Sequence, residues 1–270
     1  MASRIISLAS ASLLGFSASP PDVVRCGAKA GFTHCGLRVV TAIATPDNPM
    51  LPGKPLMRET RAALDGEGVT PFEIEVVRLD PGARPAAFEG ALETAGLLGA
   101  KHLIVICDDP DRGRLVANFA ALCDLAASFG LTVNIEPTSY YTVDSVGKAK
   151  NVVRAAGKAN GAVVPDPLHF FRAGDSLSDL HSLSDGFINF TQLCDGPARD
   201  MPSAEERMTE ARTERLLPGQ GQLDLRRYLA ELDPSLPVSV EVMMAGLLEK
   251  SGPDEAARRI KEATTAFLAR

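Results

Sequence analysis

The sequence predicts an α/β protein of the (β/α)₈-barrel (TIM barrel) class, with residues 1–270 forming a single domain. Short β-rich runs alternate with amphipathic stretches along the whole chain, which is typical of repeated βα units and a parallel sheet. Eight such runs are each followed by a helical pattern, the number that a barrel requires. The first strand–helix turn has no G-x-G-x-x-G phosphate loop, which disfavours the main rival, an open doubly wound sheet.

The predicted strands are mostly continuous apolar runs, as expected of strands covered on both faces. They span residues 4–8, 34–40, 72–79, 102–107, 132–136, 161–166, 187–193 and 238–242. The predicted helices span residues 21–30, 57–67, 85–98, 113–129, 143–156, 177–183, 223–231 and 254–268. The two longest irregular segments, 41–56 and 194–222, both follow strands. We therefore expect both at the C-terminal face, where barrel active sites lie.

Composition excludes several classes of function. The net charge is −6 and no Lys/Arg cluster stands out, which argues against a nucleic-acid partner. No apolar run approaches the ~20 residues that cross a bilayer, so we expect no membrane association. The five cysteines are scattered and form no C-x-x-C pair, a pattern typical of buried, reduced thiols. We therefore predict a cytoplasmic protein.

The N-terminal segment offers an alternative, a secretory signal peptide, because Ile5-Ile6 and most of residues 13–18 are apolar. Serines at positions 7, 10 and 12 interrupt this stretch, and Arg4 is the one basic residue before it. A first barrel strand at residues 4–8 completes the eight-strand pattern. We therefore favour a strand over a signal peptide.

Four consecutive predicted strands carry a polar side chain near their C-terminal ends. These residues are Glu136, Asp166, Gln192 and Glu241. Carboxylates that converge on one pocket repel each other, and each loses hydration when buried, unless a cation compensates them. A hard divalent ion prefers such oxygen ligands. The pattern therefore indicates a divalent metal site at the mouth of the barrel.

On these residues the chain resembles the xylose-isomerase-like superfamily of TIM barrels, the sugar phosphate isomerase/epimerase family related to endonuclease IV. The motifs that carry the resemblance are Asn-Ile-Glu-Pro (134–137), Asp-Pro-Leu-His (166–169), Gln-Leu-Cys-Asp (192–195), Arg-Leu-Leu-Pro-Gly-Gln-Gly (215–221) and Val-Glu-Val (240–242). The resemblance implies that one divalent metal ion is bound by Glu136, Asp166, Gln192 and Glu241.

Gln192 departs from the family pattern, because many members have His at this place. An amide oxygen keeps the set of ligands all-oxygen, which favours Mn²⁺ or Mg²⁺ over Zn²⁺. The trinuclear zinc site of the endonuclease branch needs several more histidines, and this chain has four in all. DNA repair is therefore disfavoured by both the ligands and the charge.

The resemblance also implies an isomerase or epimerase that acts on a small sugar, polyol or hydroxy-keto substrate. Glu136 and Glu241 would exchange the proton as base and acid around a metal-stabilised enediolate. His169 would lie over the substrate, and Arg215 would bind it.

Two further substrate-binding candidates come from the strand pattern itself. Glu75 shares a face of strand three with Glu73. A charged group inside a barrel is costly to bury, so its presence there indicates a role in the site. Arg38 follows Gly36-Leu37 near the end of strand two. The pairs Tyr140-Tyr141 and Phe170-Phe171 are candidates for an apolar pocket wall.

Two alternatives remain open at this stage. An enolate beside a good leaving group eliminates it, so the same residues suit a metal-dependent dehydratase or other lyase. Gln192 also permits a non-catalytic barrel that binds a small molecule, since fold does not determine function. The sequence leaves open the identity of the substrate and whether the chain forms a homo-oligomer (a dimer or tetramer).

Overall fold

The structure, a computed structural model, describes residues 4–14, 19–45 and 47–269. It contains eight parallel strands in one sheet of order β6-β5-β4-β3-β2-β1-β8-β7. The strands are β1 Ile6–Leu8, β2 His34–Leu37, β3 Thr70–Leu79, β4 His102–Cys107, β5 Thr132–Ile135, β6 Gly161–Val163, β7 Thr191–Leu193 and β8 Val238–Val240. Every predicted strand corresponds to one of these.

The sheet curls until its two edges meet. Val163 at the end of β6 forms a parallel bridge with Ile188. The backbone N–H of Gln192 in β7 donates to the carbonyl oxygen of Pro165 at 3.0 Å. The predicted (β/α)₈ barrel is therefore confirmed, with few hydrogen bonds at the β6–β7 seam.

The helices that the structure describes are α1 Ala11–Leu14, α2 Pro20–Lys29, α3 Pro55–Glu67, α4 Glu89–Leu98, α5 Arg112–Ala127, α6 Val146–Ala156, α7 Pro167–Ala173, α8 Leu177–His181, α9 Ala204–Thr213, α10 Leu225–Ala230 and α11 Ala245–Leu268. Short 3₁₀ turns lie at Pro85–Phe88 and Ser182–Ser184. Each predicted helix has a counterpart, with shifted ends.

Several boundaries differ from the prediction for local reasons. Helix α9 lies inside 194–222, which was expected to be irregular. It is polar on nearly every face, so it lacks an apolar stripe, and a Ser203–Glu206 capping box starts it. Helix α7 begins after the N-cap Asp166, with Pro167 in its first turn. Helix α11 begins at residue 245 and is kinked where Gly252 adopts a φ of 73° before Pro253.

Strand ends also differ, and the differences affect the site. Strands β2, β5, β6 and β8 end earlier than predicted, and β7 begins at Thr191 instead of residue 187. As a result Glu136 and Glu241 directly follow their strands, and Asp166 lies three residues after β6. These side chains therefore belong to the rim of the barrel.

Apolar side chains close the bottom of the barrel interior. Phe72 on β3 and Phe190 just before β7 stack edge-to-face with ring centroids 5.2 Å apart. Because β3 and β7 are far apart in the sheet order, this contact crosses the interior. The two rings form a buried cluster with Ile104 and Val164, separate from the large core between sheet and helices.

All five cysteines are buried and none forms a disulfide bond, as predicted. Among the helices described, none combines the length and apolar character needed to cross a membrane. Residues 15–18 of the alternative signal segment, and residue 46 of the irregular segment 41–56, lie outside the described residues.

Candidate metal centre at the mouth of the barrel

Three carboxylates meet where β5, β6 and β8 end. The backbone N–H groups of Glu136 and Glu241 donate to Val105 and Leu193 on the neighbouring strands, at 2.9 and 3.1 Å. Asp166 is held differently, since it caps α7 by accepting the backbone N–H of His169 at 3.1 Å. One oxygen from each of Glu136, Asp166 and Glu241 lies within 4.8 Å of the others. The barrel rim thus brings together three predicted ligands.

All three carboxylates are buried, and burial makes their negative charges costly. Burial and the nearby Glu241 raise the pKa of Glu136 well above its usual value. Burial raises the pKa of Glu241 to about 7, although Arg215 opposes this. Burial also acts to raise the pKa of Asp166, but the Arg215 guanidinium holds it below its usual value.

Arg215 lies inside this group and is 1% exposed. Its Nη1 is 2.6 Å from Asp166 Oδ2, and its Nη2 is 3.2 Å from Glu241 Oε2. Its Nε donates to the carbonyl oxygen of Ala211 in α9 at 2.8 Å. The guanidinium therefore has a fixed position beside two of the predicted ligands.

Glu75 and Arg38, the candidates from the strand pattern, lie at the same end of the barrel. Glu75 Oε2 is 3.9 Å from Arg38 Nη2, and Glu75 Oε1 accepts the backbone N–H of Ser10 at 2.6 Å. Around the centre, the described residues thus place four carboxylates against the two guanidiniums of Arg38 and Arg215. Two negative charges are left uncompensated when all four are ionised, which matches one divalent cation.

Gln192 contacts this group of carboxylates through Glu241. Its side chain is 1% exposed, and its Nε2 donates to Glu241 Oε2 at 3.0 Å. Its Oε1 is buried and has no hydrogen-bond partner among the described residues. A buried acceptor without a donor is costly, and a cation would satisfy it. The residues present therefore fit a divalent ion bound by oxygen atoms.

His169 lies on the other side of Glu136. Burial lowers the pKa of His169 to about 4, so the ring is neutral near pH 7. Its Nδ1 is 3.1 Å from Ser139 Oγ, and its Nε2 is 4.0 Å from Glu136 Oε1. The ring of Tyr140 packs edge-on against it, with centroids 5.4 Å apart. A neutral imidazole held in this way can form a hydrogen bond with a substrate oxygen.

A cavity of about 170 Å³ opens above these groups. Six predicted site residues line it, namely Arg38, Glu75, Glu136, His169, Arg215 and Glu241. Asp166 and Gln192 lie behind them, against Arg215 and Glu241. The volume is below the ~300–1,000 Å³ typical of pockets for drug-sized ligands, so the cavity fits a small metabolite.

The expected apolar wall is only partly correct. Tyr140 and Tyr141 line the cavity. Phe170 instead packs in the core, with its ring 5.3 Å from that of Tyr228, and Phe171 packs edge-on against Phe170. The prediction of Phe170-Phe171 as pocket wall was therefore wrong, because α7 turns both rings towards α10.

Sequence reasoning missed three other residues at this end of the barrel. Arg78 and Arg212 line the cavity, but an arginine near a strand end or on a polar helix carries no distinctive signal. Asp195 is 1% exposed and accepts backbone N–H groups of Gly219, Gly221 and Leu223 at 2.9–3.1 Å. It thereby holds the loop that follows Arg215, and its place in the 192–195 motif was the available signal.

Residues 25–264 match the sequence model of the xylose isomerase-like TIM barrel family. The chain belongs to this family. An inosose isomerase of Bacillus licheniformis is 28% identical over 196 residues, which is 68% of either chain. The crystal structure of the IOLI protein with a bound zinc atom superimposes with a TM-score of 0.77 at 20% identity, covering 98% of both chains.

A second solved structure of the xylose isomerase-like fold is that of the 3-keto-D-glucoside 4-epimerase from E. coli. It superimposes with a TM-score of 0.72 at 16% identity and covers 99% of this chain and all of its own. At these identities the solved structures establish the fold alone.

Proposed function

We propose that the protein is a divalent-metal-dependent isomerase or epimerase that acts on a small sugar, polyol or hydroxy-keto compound. The observation that carries the proposal is the group of three buried carboxylates and the unpartnered Gln192 oxygen beside a small cavity. Similarity to inosose isomerases of several Bacillus species supports an enzyme of the isomerase/epimerase class.

The proposed ligands are Glu136, Asp166, Gln192 and Glu241. A bound divalent ion would supply electrophilic polarisation of a substrate carbonyl group. We favour Mn²⁺ or Mg²⁺ over Zn²⁺ because all four donors are oxygen atoms. The IOLI structure contains zinc, so the preference of this chain for Mn²⁺ or Mg²⁺ over Zn²⁺ is tested separately from its need for a metal.

Glu136 and Glu241 are the proposed acid and base. Each has two carboxylate oxygens, so one can bind the ion while the other exchanges a proton with the carbon beside the carbonyl group. The two residues follow β5 and β8, both line the cavity, and carboxylate oxygens of the two lie within 4.8 Å of each other, so one can remove the proton and the other return it. Arg215 and the neutral His169 position the substrate oxygens, and Arg38 holds Glu75 beside them.

The test uses Glu136→Gln and Glu241→Gln with inosose and related keto sugars in D₂O. Each variant keeps the size of the side chain but loses the proton-transfer group. We expect a loss of about 10²–10⁴-fold in turnover and in deuterium incorporation at carbon. Glu262→Gln, on the exposed face of α11, is the matched control and is expected to retain full activity.

Wild-type turnover in both variants would contradict the assigned acid and base. Full activity after metal removal would contradict the metal dependence. An unsaturated product in place of an isomer would assign the lyase alternative to the same site. Absence of both turnover and metal binding would favour a non-catalytic binding barrel.

A further inference from the structure

Charge is distributed unevenly along the depth of the cavity. Among the described residues that line it, the carboxylates are Glu75, Glu136 and Glu241, and all three are buried. Arg215, at 1% exposure, and Arg38, at 18%, each lie beside one of these carboxylates. The remaining lining guanidiniums, Arg78 and Arg212, lie further out: the Arg78 side chain is 29% exposed, and Arg212 is exposed. The cavity therefore has an acidic floor and a cationic rim.

The two rim guanidiniums lie next to a pair of tyrosines. The rings of Tyr140 and Tyr141 pack with centroids 4.8 Å apart. Burial acts to lower the pKa of Arg78, but Tyr141 and Asp80 hold it above its usual value, which places Tyr141 beside this guanidinium. The guanidinium carbon of Arg212 lies 6.0 Å from the centroid of the Tyr140 ring, within range of a cation–π contact. Both positive charges are thus part of the cavity wall.

The protein satisfies only part of the hydrogen-bonding capacity of Arg78. Its Nη2 is 3.1 Å from Asp80 Oδ2, and its Nε has no hydrogen-bond partner among the described residues. Its backbone N–H donates to the carbonyl oxygen of Ala42 at 2.9 Å, which ties the end of β3 to the loop after β2. Arg78 therefore presents a partly compensated positive charge on an anchored backbone.

We propose that Arg78 and Arg212 form a subsite for an oxyanion, so that the substrate is a hydroxy-keto or sugar compound with a carboxylate or phosphate group. The carboxylates of the floor bind the cation and the polar end of the substrate, and the two rim guanidiniums bind its anionic end. Guanidinium forks suit both oxyanions. A local positive rim also offsets the repulsion of an anion by a chain of net charge −6. This inference rests on the proposed function, because it assumes that the substrate binds in this cavity.

The test is calorimetric titration of the metal-free protein with inorganic phosphate and, separately, with malonate. We expect one weak site that binds about tenfold less tightly in Arg78→Met, with a smaller loss in Arg212→Met because that residue is more exposed. Asp80→Asn removes the competing carboxylate and is expected to tighten binding. Arg227→Met, a 73%-exposed arginine on α10, is the matched control and is expected to bind like the wild type.

The two probes distinguish the anion, since tighter binding of phosphate indicates a phosphate group and tighter binding of malonate a carboxylate. Absence of binding in the wild type, or equal binding in Arg78→Met and the wild type at unchanged thermal stability, would overturn the subsite. With a converted substrate, Arg78→Met should raise KM more for the anionic compound than for its uncharged analogue, whereas Arg227→Met should leave both KM values as in the wild type.

The subsite and the proposed reaction can fail separately. Glu136→Gln and Glu241→Gln should still bind phosphate or malonate at the rim, because neither substitution touches Arg78 or Arg212. Anion binding without any turnover would leave the subsite standing and remove the reaction. Turnover of uncharged sugars, with no binding of either probe, would support the reaction and rule out the subsite.

Discussion

Glu73 is a fully buried carboxyl group inside the barrel, two residues before Glu75 on β3. It accepts hydrogen bonds from the hydroxyl groups of Ser7, at 2.9 Å, and Ser239. Burial raises its pKa to about 8, and the negative charges of Glu75 and Glu241 act in the same direction. Glu73 is therefore protonated in the folded protein at neutral pH.

This pKa predicts how stability depends on pH. The unfolded chain ionises Glu73 near pH 4.3, whereas the folded chain keeps the proton until about pH 8. Stability is therefore lost as pH rises between these values. Glu73→Gln removes this loss. The stability of this variant relative to the wild type should therefore increase from pH 5 to pH 8, by up to a few kcal/mol in free energy of unfolding. Its melting temperature should increase relative to the wild type over the same range. Calorimetry at several pH values measures the difference.

Glu262→Gln, on an exposed carboxyl group, is the control and should show a pH-independent difference from wild type. If the melting temperature of Glu73→Gln ran parallel to that of the wild type at every pH, Glu73 would not carry the raised pKa.

The proposed ligand Gln192 allows the metal centre to be tested at the scale of a single side chain. Gln192→His replaces an amide oxygen by an imidazole nitrogen, a ligand that Zn²⁺ prefers. We expect the affinity for Zn²⁺ to rise relative to that for Mn²⁺. Competitive titration of the metal-free protein with the two ions measures the ratio. An unchanged ratio would show that residue 192 is not a ligand, and Gln222→His, at an exposed position, serves as the control for an added histidine.

At the scale of elements, α9 connects the site to the outside of the barrel. It carries Arg212, and its Ala211 carbonyl oxygen accepts the Nε of Arg215. A buried bidentate pair fastens α9 to α7: Arg172 Nε and Nη2 each donate to a carboxylate oxygen of Glu210 at 2.7 Å. The Glu210 side chain is 0% exposed. This ion pair therefore supports the positions of two cavity arginines.

Breaking the Arg172–Glu210 pair should destabilise the fold. Arg172→Met leaves the buried Glu210 carboxylate with the longer contact to the part-exposed Arg199, at 3.9 Å, and costs up to about 3–5 kcal/mol in free energy of unfolding. The double variant Arg172→Met/Glu210→Met should recover much of the loss, because it removes both charges. Urea denaturation of the two variants provides the measurement. Arg258→Met, which breaks exposed pairs on α11, should change stability little. Equal losses in the single and double variants would mean that the charge is not the cause.

At the scale of the whole molecule, the barrel closes at the β6–β7 seam, and the candidate metal centre lies there. Asp166 follows β6, Gln192 is in β7, and Glu241 follows the adjacent β8. A divalent ion bound to these residues would connect both sides of a seam with few hydrogen bonds. Binding of the ion to the folded state would then raise the free energy of unfolding of the whole domain.

We expect Mn²⁺ at about 100 times its Kd to stabilise the fold by about 2.7 kcal/mol. For a chain of this size that corresponds to a rise of roughly 5–10 °C in melting temperature. Thermal unfolding of chelator-treated protein with and without Mn²⁺ checks this. Asp166→Asn/Glu241→Gln should lose most of the rise, whereas Glu262→Gln should keep it. A rise of the same size in the double variant would place the ion elsewhere.

The sequence was most informative where burial on both faces produces continuous apolar runs. Strand β4 has the predicted bounds, and the polar residues that interrupt or follow such runs are those now found around the cavity. It was least informative for α9, because a helix polar on nearly every face resembles a loop. Phe170 and Phe171 were misplaced for a related reason, since a pair of aromatic residues does not reveal which neighbour it packs against.

Chain order and strand pattern by themselves determined the barrel and the residues at its C-terminal rim, because parallel strands joined by right-handed crossovers all present their C-terminal ends on one face. Only the tertiary structure decided which groups touch. The guanidinium of Arg215 between Asp166 and Glu241, the unpartnered oxygen of Gln192 and the place of Arg212 depend on how the β6–β7 seam closes and how α9 packs. Arg78 lies at the rim because the end of β3 is tied to the loop after β2. Those contacts join residues distant in the chain, and local sequence patterns carry no record of them.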